Sequence, residues 1–473
     1  MTLPKLRAIF LILNILFLCN FASSQWTKRV TSDSVPNSAL NLKQPNLCDP
    51  NVQQHSGYFT VNNSETLFFW FFEARNNPAT APVLLWLHAH PDIDILSLTI
   101  NYILIKHNRC SSMNSLYFEL GPCTVNSGGN STTINPYSWN TNASIIFLDQ
   151  PANAGYSYGN YISDTTTAAQ DTYAFLQLFF NAFPKYSNLT FHIGGESYGG
   201  HWAPALANII QSKNNATTQN NTKINLDSIL IGNGLVDPLI QFQTFPTMAC
   251  NSTYGALVDP VTCSQMKDNA TTCANYIQTC YKTKDPRDCV YAKEYCLDTL
   301  LLPIENLGLN DLDIRQTCAG IGCYPQFINI VQYASSSVVT TDLGVNSTFQ
   351  LCNNNINVDF IMSGDWMLPF DTYIPALLDG NIRVLVYAGD ADYLCNWYGN
   401  NAWTLALKWS GSSGFNNAPL AKWNTNDGTY AGDFRTYNQL TFVKVNNASH
   451  MAPHDQPAAT LDLFNKWIFK KAL

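Results

Sequence analysis

Short apolar runs, most closing on a small or polar residue, recur along the chain and alternate with stretches of helical period. SGYFTV and TLFFWFFEA flank the polar Asn62–Asn63–Ser64, which predicts a β-hairpin. PVLLWLH (82–88), SIIFLDQ (144–150), LTFHIGG (189–195), SILIGNG (228–234), RVLVYAG (383–389) and LTFVKVN (440–446) are largely continuous apolar runs rather than alternating ones. Strands covered on both faces, as in a buried parallel sheet, have that composition. Helices are predicted between them over Thr166–Ala182, Ala203–Gln211 and Pro457–Lys470. This alternation predicts an α/β sheet with helices on both faces. The stretch from about Asp237 to Asp359 breaks the pattern, being crowded with cysteines and poor in sheet-like runs. It reads as a mainly helical, disulfide-stapled insertion capping the strand ends, where open α/β sheets place their sites.

The first residues change the compartment. Lys5 and Arg7 precede an apolar run from Ala8 to about Phe21, followed by Ala22, Ser23 and Ser24. That is the layout of a secretory signal peptide over residues 1–24. Asn14 and Asn20 interrupt the run, which is short for a membrane span, and no second candidate span follows. Residues 25–473 are therefore expected in the secretory pathway, either secreted or delivered to a vacuole or lysosome. Asn-x-Ser/Thr sites at Asn62, Asn130, Asn142, Asn188, Asn215, Asn220, Asn251, Asn269, Asn346 and Asn447 predict N-linked glycans, which would keep soluble a chain with only 12% charged residues. The net charge of −8, with no Lys/Arg cluster, argues against nucleic acid as a partner. No linker or repeat divides the chain, so one large α/β unit with an insertion is expected. Fourteen cysteines become thirteen without Cys19, which suggests six pairs and one free thiol.

The most specific local signal is HIGGESYGGHWAP. Gly195–Glu196–Ser197–Tyr198–Gly199 is a G-x-S-x-G element between an apolar strand and a helix. A sharp strand-to-helix turn there exposes a serine hydroxyl at the sheet's end, with the next backbone N–H, that of Tyr198, as an oxyanion donor. A serine nucleophile needs a histidine base and an orienting acid. Asp390 and Asp392 follow the strand RVLVYAG, while His450 and His454 follow LTFVKVN, in the chain order of this type of hydrolase. Composition alone does not choose within either pair.

The segments PVLLWL, CSSMNSLYFELGP, SIIFLDQPANAGYSY, GGESYGGHWAP, ILIGNGLVDP, YAGDADYLCNWYGNNAW and SHMAPHDQP resemble the serine carboxypeptidases, above all the carboxypeptidase Y type. The resemblance covers nearly the whole chain after residue 24. It implies an α/β-hydrolase fold with a helical insertion, no cofactor, and removal of C-terminal residues from peptides or proteins through an acyl-enzyme. It assigns Ser197 as nucleophile, Asp392 as orienting acid and His450 as base. It also implies that Glu196, with Glu119 in support, donates a hydrogen bond to the substrate's terminal carboxylate. Two neighbouring carboxyls do not both ionise readily, so one keeps its proton to higher pH and activity should favour acid. Phe118 and Met451 are expected to line an apolar pocket, and Cys395 to be a free thiol beside it. The implied disulfides are Cys110–Cys352, Cys250–Cys263, Cys273–Cys296, Cys280–Cys289 and Cys318–Cys323, leaving Cys48 and Cys123 as a further pair.

One segment departs from the family. Between Trp86–Leu87 and Cys110–Ser111–Ser112 the family carries Asn-Gly-Gly-Pro-Gly, which supplies a second oxyanion donor and an asparagine for the terminal carboxylate. This chain has residues 88–109, seventeen residues longer and free of glycine. Three readings follow: the segment is a retained intron or faulty gene model, a genuine loop with substitute donors, or the mark of an impaired homologue that binds peptides. An esterase or acyltransferase on the same scaffold is the other enzymatic alternative. Metal binding by His88, His90 and His107 lacks a carboxylate or cysteine at suitable spacing, and no metal is expected.

Overall fold

The computed structural model describes residues 26–62, 64–89, 109–216 and 221–473, without the side chains of residues 89, 109 and 110. The expected signal peptide and residues 90–108 of the departing segment lie outside the described residues. Twelve strands lie on one continuous path: β1 (Lys28–Ser32), β2 (Val35–Lys43), β3 (Gln54–Val61), β4 (Glu65–Phe72), β5 (Val83–Ala89), β6 (Ser144–Asp149), β7 (Phe191–Ser197), β8 (Leu226–Gly232), β9 (Arg383–Gly389), β10 (Ala421–Asn424), β11 (Tyr430–Tyr437) and β12 (Leu440–Val445). Their order is β1-β2-β3-β4-β6-β5-β7-β8-β9-β12-β11-β10, and a thirteenth short strand, Tyr158–Gly159, pairs with β4. The centre, from β6 through β5, β7, β8 and β9 to β12, is parallel, and both flanks are antiparallel.

The continuous apolar runs are these central strands, and their register explains the composition. Leu85 of β5 lies between Ile146 of β6 and Ile193 of β7, and Ile193 in turn faces Ile229 of β8. All four are inaccessible to solvent. Burial on both faces makes each of these residues apolar without alternation. The outermost strands are different. β1 shows mostly exposed residues, and β11 is buried only in its first half. Their mixed polar sequences carry no such signal.

Helix α1 (Met113–Phe118) is buried along its whole length, and α2 (Thr165–Ala182) begins at Asp164, whose carboxylate accepts from Thr167 N at 2.8 Å. Helix α3 (Gly199–Asn215) follows β7 after one intervening residue and packs beside α2. Between the neighbouring strands β8 and β9 the chain leaves the sheet and builds the helical insertion. Its core is the pair α4 (Pro260–Thr283) and α5 (Pro286–Leu300), which pack on each other. Asp259 and Asp285 cap them, each followed by a proline at the first helical position, a pairing that satisfies free N–H groups and presets φ. Cys273–Cys296 and Cys280–Cys289 staple α4 to α5, Cys250–Cys263 ties the preceding turn to α4, and Cys318–Cys323 closes a small loop. Cys48 is joined to Cys123. Cys352 is also disulfide-bonded, and its backbone stands opposite Cys110 in a two-strand ladder, where the family pattern expects its partner. No helix among the described residues is long and apolar enough to cross a membrane.

Candidate active site

The C-terminal ends of the central strands converge, and the chemistry-bearing residues lie just there. Ser197 is the last residue of β7 and has φ +62°, a left-handed conformation that non-glycine residues adopt at a cost. The turn is possible because its neighbours lack side chains. A Cβ on Gly195 would stand 2.9 Å from Gly199 Cα, one on Gly199 2.8 Å from Leu87 O, and one on Gly200 2.4 Å from Leu235 O. Ser197 O accepts from Leu235 N at 2.9 Å, which ties the elbow to the chain leaving β8. Tyr198 follows at the start of α3, where the helix dipole favours negative charge. Its hydroxyl donates to Asp365 Oδ2 at 2.5 Å, anchoring the turn from behind.

The two pairs left open by the sequence separate on their contacts. Asp392 Oδ2 is 2.7 Å from His450 Nδ1, and both residues are fully buried. Asp390 instead accepts from the Tyr254 hydroxyl at 2.8 Å. His454 points away from the acid: its Nδ1 lies 3.0 Å from Phe118 O and its ring stacks on Phe118 with centroids 3.9 Å apart. The orienting contacts of Asp392 come partly from a residue the sequence reading gave no role. Asn233, just past β8, donates Nδ2 to Asp392 Oδ2 at 2.7 Å, while its Oδ1 accepts from Gly389 N at 3.2 Å. Asn233 has φ +40°, and asparagine tolerates the left-handed region better than most residues. Cys395 N donates to Asp392 Oδ1 at 3.2 Å. The Cys395 thiol itself is free and buried, and burial holds its ionisation well above the ordinary thiol range.

Glu196 and Glu119 stand beside each other, and a third group joins them. Register places His88 of β5 opposite Glu196 of β7. His88 Nδ1 stands 3.5 Å from Glu196 Oε1 and 3.9 Å from Glu119 Oε1, with all three side chains buried. Burial first, then the charge of Glu119 and the hydrogen bond to it, hold Glu196 well above the ordinary carboxylate range. Glu119 closes helix α1, and its carbonyl accepts from Asn135 Nδ2 at 3.1 Å. The clue to His88 was its place, near the C-terminal end of the strand beside β7. Phe118 packs edge-on against Tyr324 and Phe327, with centroids 5.7 and 5.1 Å away, and Met451 is buried beside His450 in sequence. Among the described residues, two groups bring three metal-competent ligands within 4.8 Å, Asp392–Cys395–His450 and His88–Glu119–Glu196. Each consists of the acid–base groups just described.

Comparison with known proteins covers the same residues. The pattern of the family described as serine carboxypeptidase matches residues 44–92 and 109–470. Within its span the match therefore runs through His88 and is interrupted at residues 93–108. A carboxypeptidase Y homolog A of Arthroderma gypseum is 43% identical over 430 residues, covering 89% of this chain and 75% of that protein. Carboxypeptidase Y of Candida albicans is 41% identical over 453 residues, covering 94% and 79%. The crystal structure of Kex1(delta)p, a prohormone-processing carboxypeptidase of Saccharomyces cerevisiae, superposes with a TM-score of 0.77 at 23% identity, covering 95% of this chain and 96% of that one.

Proposed function

From the premise that this chain belongs to the serine carboxypeptidase family, we propose that Ser197, Asp392 and His450 are the residues that cleave the C-terminal peptide bond. The chain is a serine-type carboxypeptidase on an α/β-hydrolase fold. In the proposed reaction His450 Nε2 takes the Ser197 proton as Oγ attacks the scissile carbonyl carbon. Asp392 holds Nδ1–H, which fixes the tautomer and stabilises the imidazolium. The tetrahedral oxyanion receives the Tyr198 N–H. His450 then returns the proton to the leaving amine, and water releases the acyl group by the same route. The observation that carries this reading is the buried 2.7 Å contact of His450 Nδ1 with Asp392, in chain order after a strained serine elbow.

Exopeptidase specificity falls to the carboxyl cluster. A Glu196 that keeps its proton donates a hydrogen bond to the substrate's terminal carboxylate, with Glu119 beside it. His88 stands where the family carries its asparagine and offers an imidazole to the same group. The protonated form of Glu196, held well above the ordinary carboxylate range by burial and by Glu119, favours binding, so peptide hydrolysis should be strongest on the acid side. Phe118, Met451 and Cys395 are assigned to the pocket for the final side chain. Asn62, Asn130, Asn188, Asn215, Asn251, Asn346 and Asn447 are exposed, which supports N-linked glycans there and passage through the secretory pathway to the exterior or a vacuole.

The glycine-free segment favours one second reading, a homologue with weakened turnover that still binds peptides. Loss of a single oxyanion donor slows such enzymes roughly 10²–10³-fold. A fluorophosphonate probe separates the two. Labelling of wild type but not Ser197→Ala supports a competent nucleophile, and no labelling of wild type contradicts it.

A further inference from the structure

A short hairpin of the helical insertion, Leu309–Asn310 paired with Asp313–Thr317, makes main-chain bonds to both loops that carry the acid and the base. Leu312 O accepts from His450 N at 2.9 Å. Asp311 O accepts from Tyr393 N and Leu394 N at 3.0 and 3.1 Å, and Ile314 N donates to Ala391 O at 3.0 Å. His450 itself and both sequence neighbours of Asp392 therefore hang on one hairpin of the insertion.

Arg315 is the side chain that locks this hairpin to the histidine loop. Its Nε and Nη2 donate to Asp313 Oδ1 and Oδ2 at 2.7 and 2.9 Å, so its own strand fixes the plane of the guanidinium. Nη2 also donates to Asp455 Oδ2 at 2.7 Å, and Nη1 to Asn447 O at 2.8 Å. Asn447 and Asp455 bracket His450 in the chain. Asp455 Oδ2 accepts in addition from Ser449 N at 2.7 Å, the residue directly before His450. Tyr254, which holds Asp390, lies under the guanidinium at 5.9 Å from its ring centroid. Through one planar fork, Arg315 thus grips the histidine loop at the Asn447 carbonyl and at the Asp455 carboxylate, which in turn holds Ser449 N.

We propose that Arg315 is a positioning residue for His450, setting the imidazole in line with Asp392 without touching substrate. The proposal rests on the reading that His450 is the base. A lysine cannot replace the fork, because its ammonium has no fixed plane and reaches fewer of these acceptors at once. Small misplacements of a catalytic group cost on the order of 100-fold in rate. A residue that served only to hold the insertion together would instead change the amount of folded protein.

The test uses full-length Arg315→Lys and Arg315→Ala. Turnover of a blocked dipeptide is measured per active site, with sites counted by a fluorophosphonate titrant. The account expects kcat per site to fall about 10- to 100-fold in Arg315→Ala, with KM within about twofold, and Arg315→Lys to recover thermal stability but not kcat. Unchanged kcat per site in a folded Arg315→Lys overturns the proposal even where Arg315→Ala does not fold. A second readout does not need turnover. The proton between His450 Nδ1 and Asp392 is followed as a far-downfield NMR resonance, which should shift or broaden in Arg315→Lys. A resonance identical to wild type overturns the assignment of Arg315. A wild type that shows the resonance but releases no amino acid contradicts the functional reading instead.

Discussion

Asn233→Ala tests whether the orientation of Asp392 is set from β8. The substitution removes the Nδ2 donor 2.7 Å from Asp392 Oδ2 and the Oδ1 acceptor of Gly389 N, at a residue buried completely. A hydrogen bond to a charged group contributes about 1.5–3 kcal/mol, and stranding the Gly389 N–H costs about 1–3 more. Alanine at a φ of +40° adds about 1 kcal/mol. Stability should therefore fall by roughly 4 kcal/mol or more. The rate effect is smaller and separable. If only the bond to Asp392 is expressed in the transition state, about 1.5–3 kcal/mol corresponds to roughly 10- to 150-fold in kcat. Thermal unfolding measures the first, and turnover of a blocked dipeptide per titrated site measures the second. Asn233→Asp sharpens the comparison, because it keeps the acceptor for Gly389 N and the tolerance of positive φ. It places a second carboxylate 2.7 Å from Asp392, where two charges would repel by about 6 kcal/mol at an effective dielectric of 20. The pair then holds a proton, so this variant should work at acid pH and fail as pH rises. Full kcat per site in Asn233→Ala, with only stability reduced, would refute the role given to Asn233.

Glu196→Gln should flatten the acid preference of peptide hydrolysis while leaving the pH profile of ester hydrolysis in place, and an unaltered peptide profile counts against a donating Glu196. Gly200→Ala forces a Cβ to 2.4 Å from Leu235 O, so the elbow must move; activity should fall at least tenfold together with a clear loss of Tm. Asp149, fully buried, is pushed up by burial from 3.8 to about 7. The folded state then keeps a proton that the unfolded chain releases, so this group's contribution to stability is best below about pH 4 and declines until about pH 7, by on the order of 4 kcal/mol. Urea unfolding at pH 5 and pH 8 should show a smaller difference for Asp149→Asn than for wild type.

The central strands were legible because burial on both faces leaves a plain mark, an unbroken apolar run. The serine elbow was legible because its glycines are demanded by backbone contacts under 3 Å. Composition and chain order alone did not choose Asp392 over Asp390 or His450 over His454, because each pair follows the same strand; the family resemblance made the choice, and the contacts across the fold separate the pairs independently. Asn233 and Arg315 were invisible because their roles lie in contacts across the fold. Asn233 reaches Asp392 across 159 positions, and Arg315 reaches Asp455 across 140. The hairpin that carries Arg315 is short and polar, so it leaves no periodic signal. His88 was read as part of a foreign segment, yet the family match continues through residue 92 and strand register brings His88 against Glu196.

The central claim is that this chain, with residues 88–109 as they stand, removes C-terminal residues through Ser197. The direct measurement is release of free amino acid from an N-blocked dipeptide by wild type and by Ser197→Ala, with fluorophosphonate labelling of both. The account predicts release that is stronger at acid pH, lost in Ser197→Ala, and labelling confined to wild type. Folded wild-type protein that neither labels nor releases amino acid would contradict it.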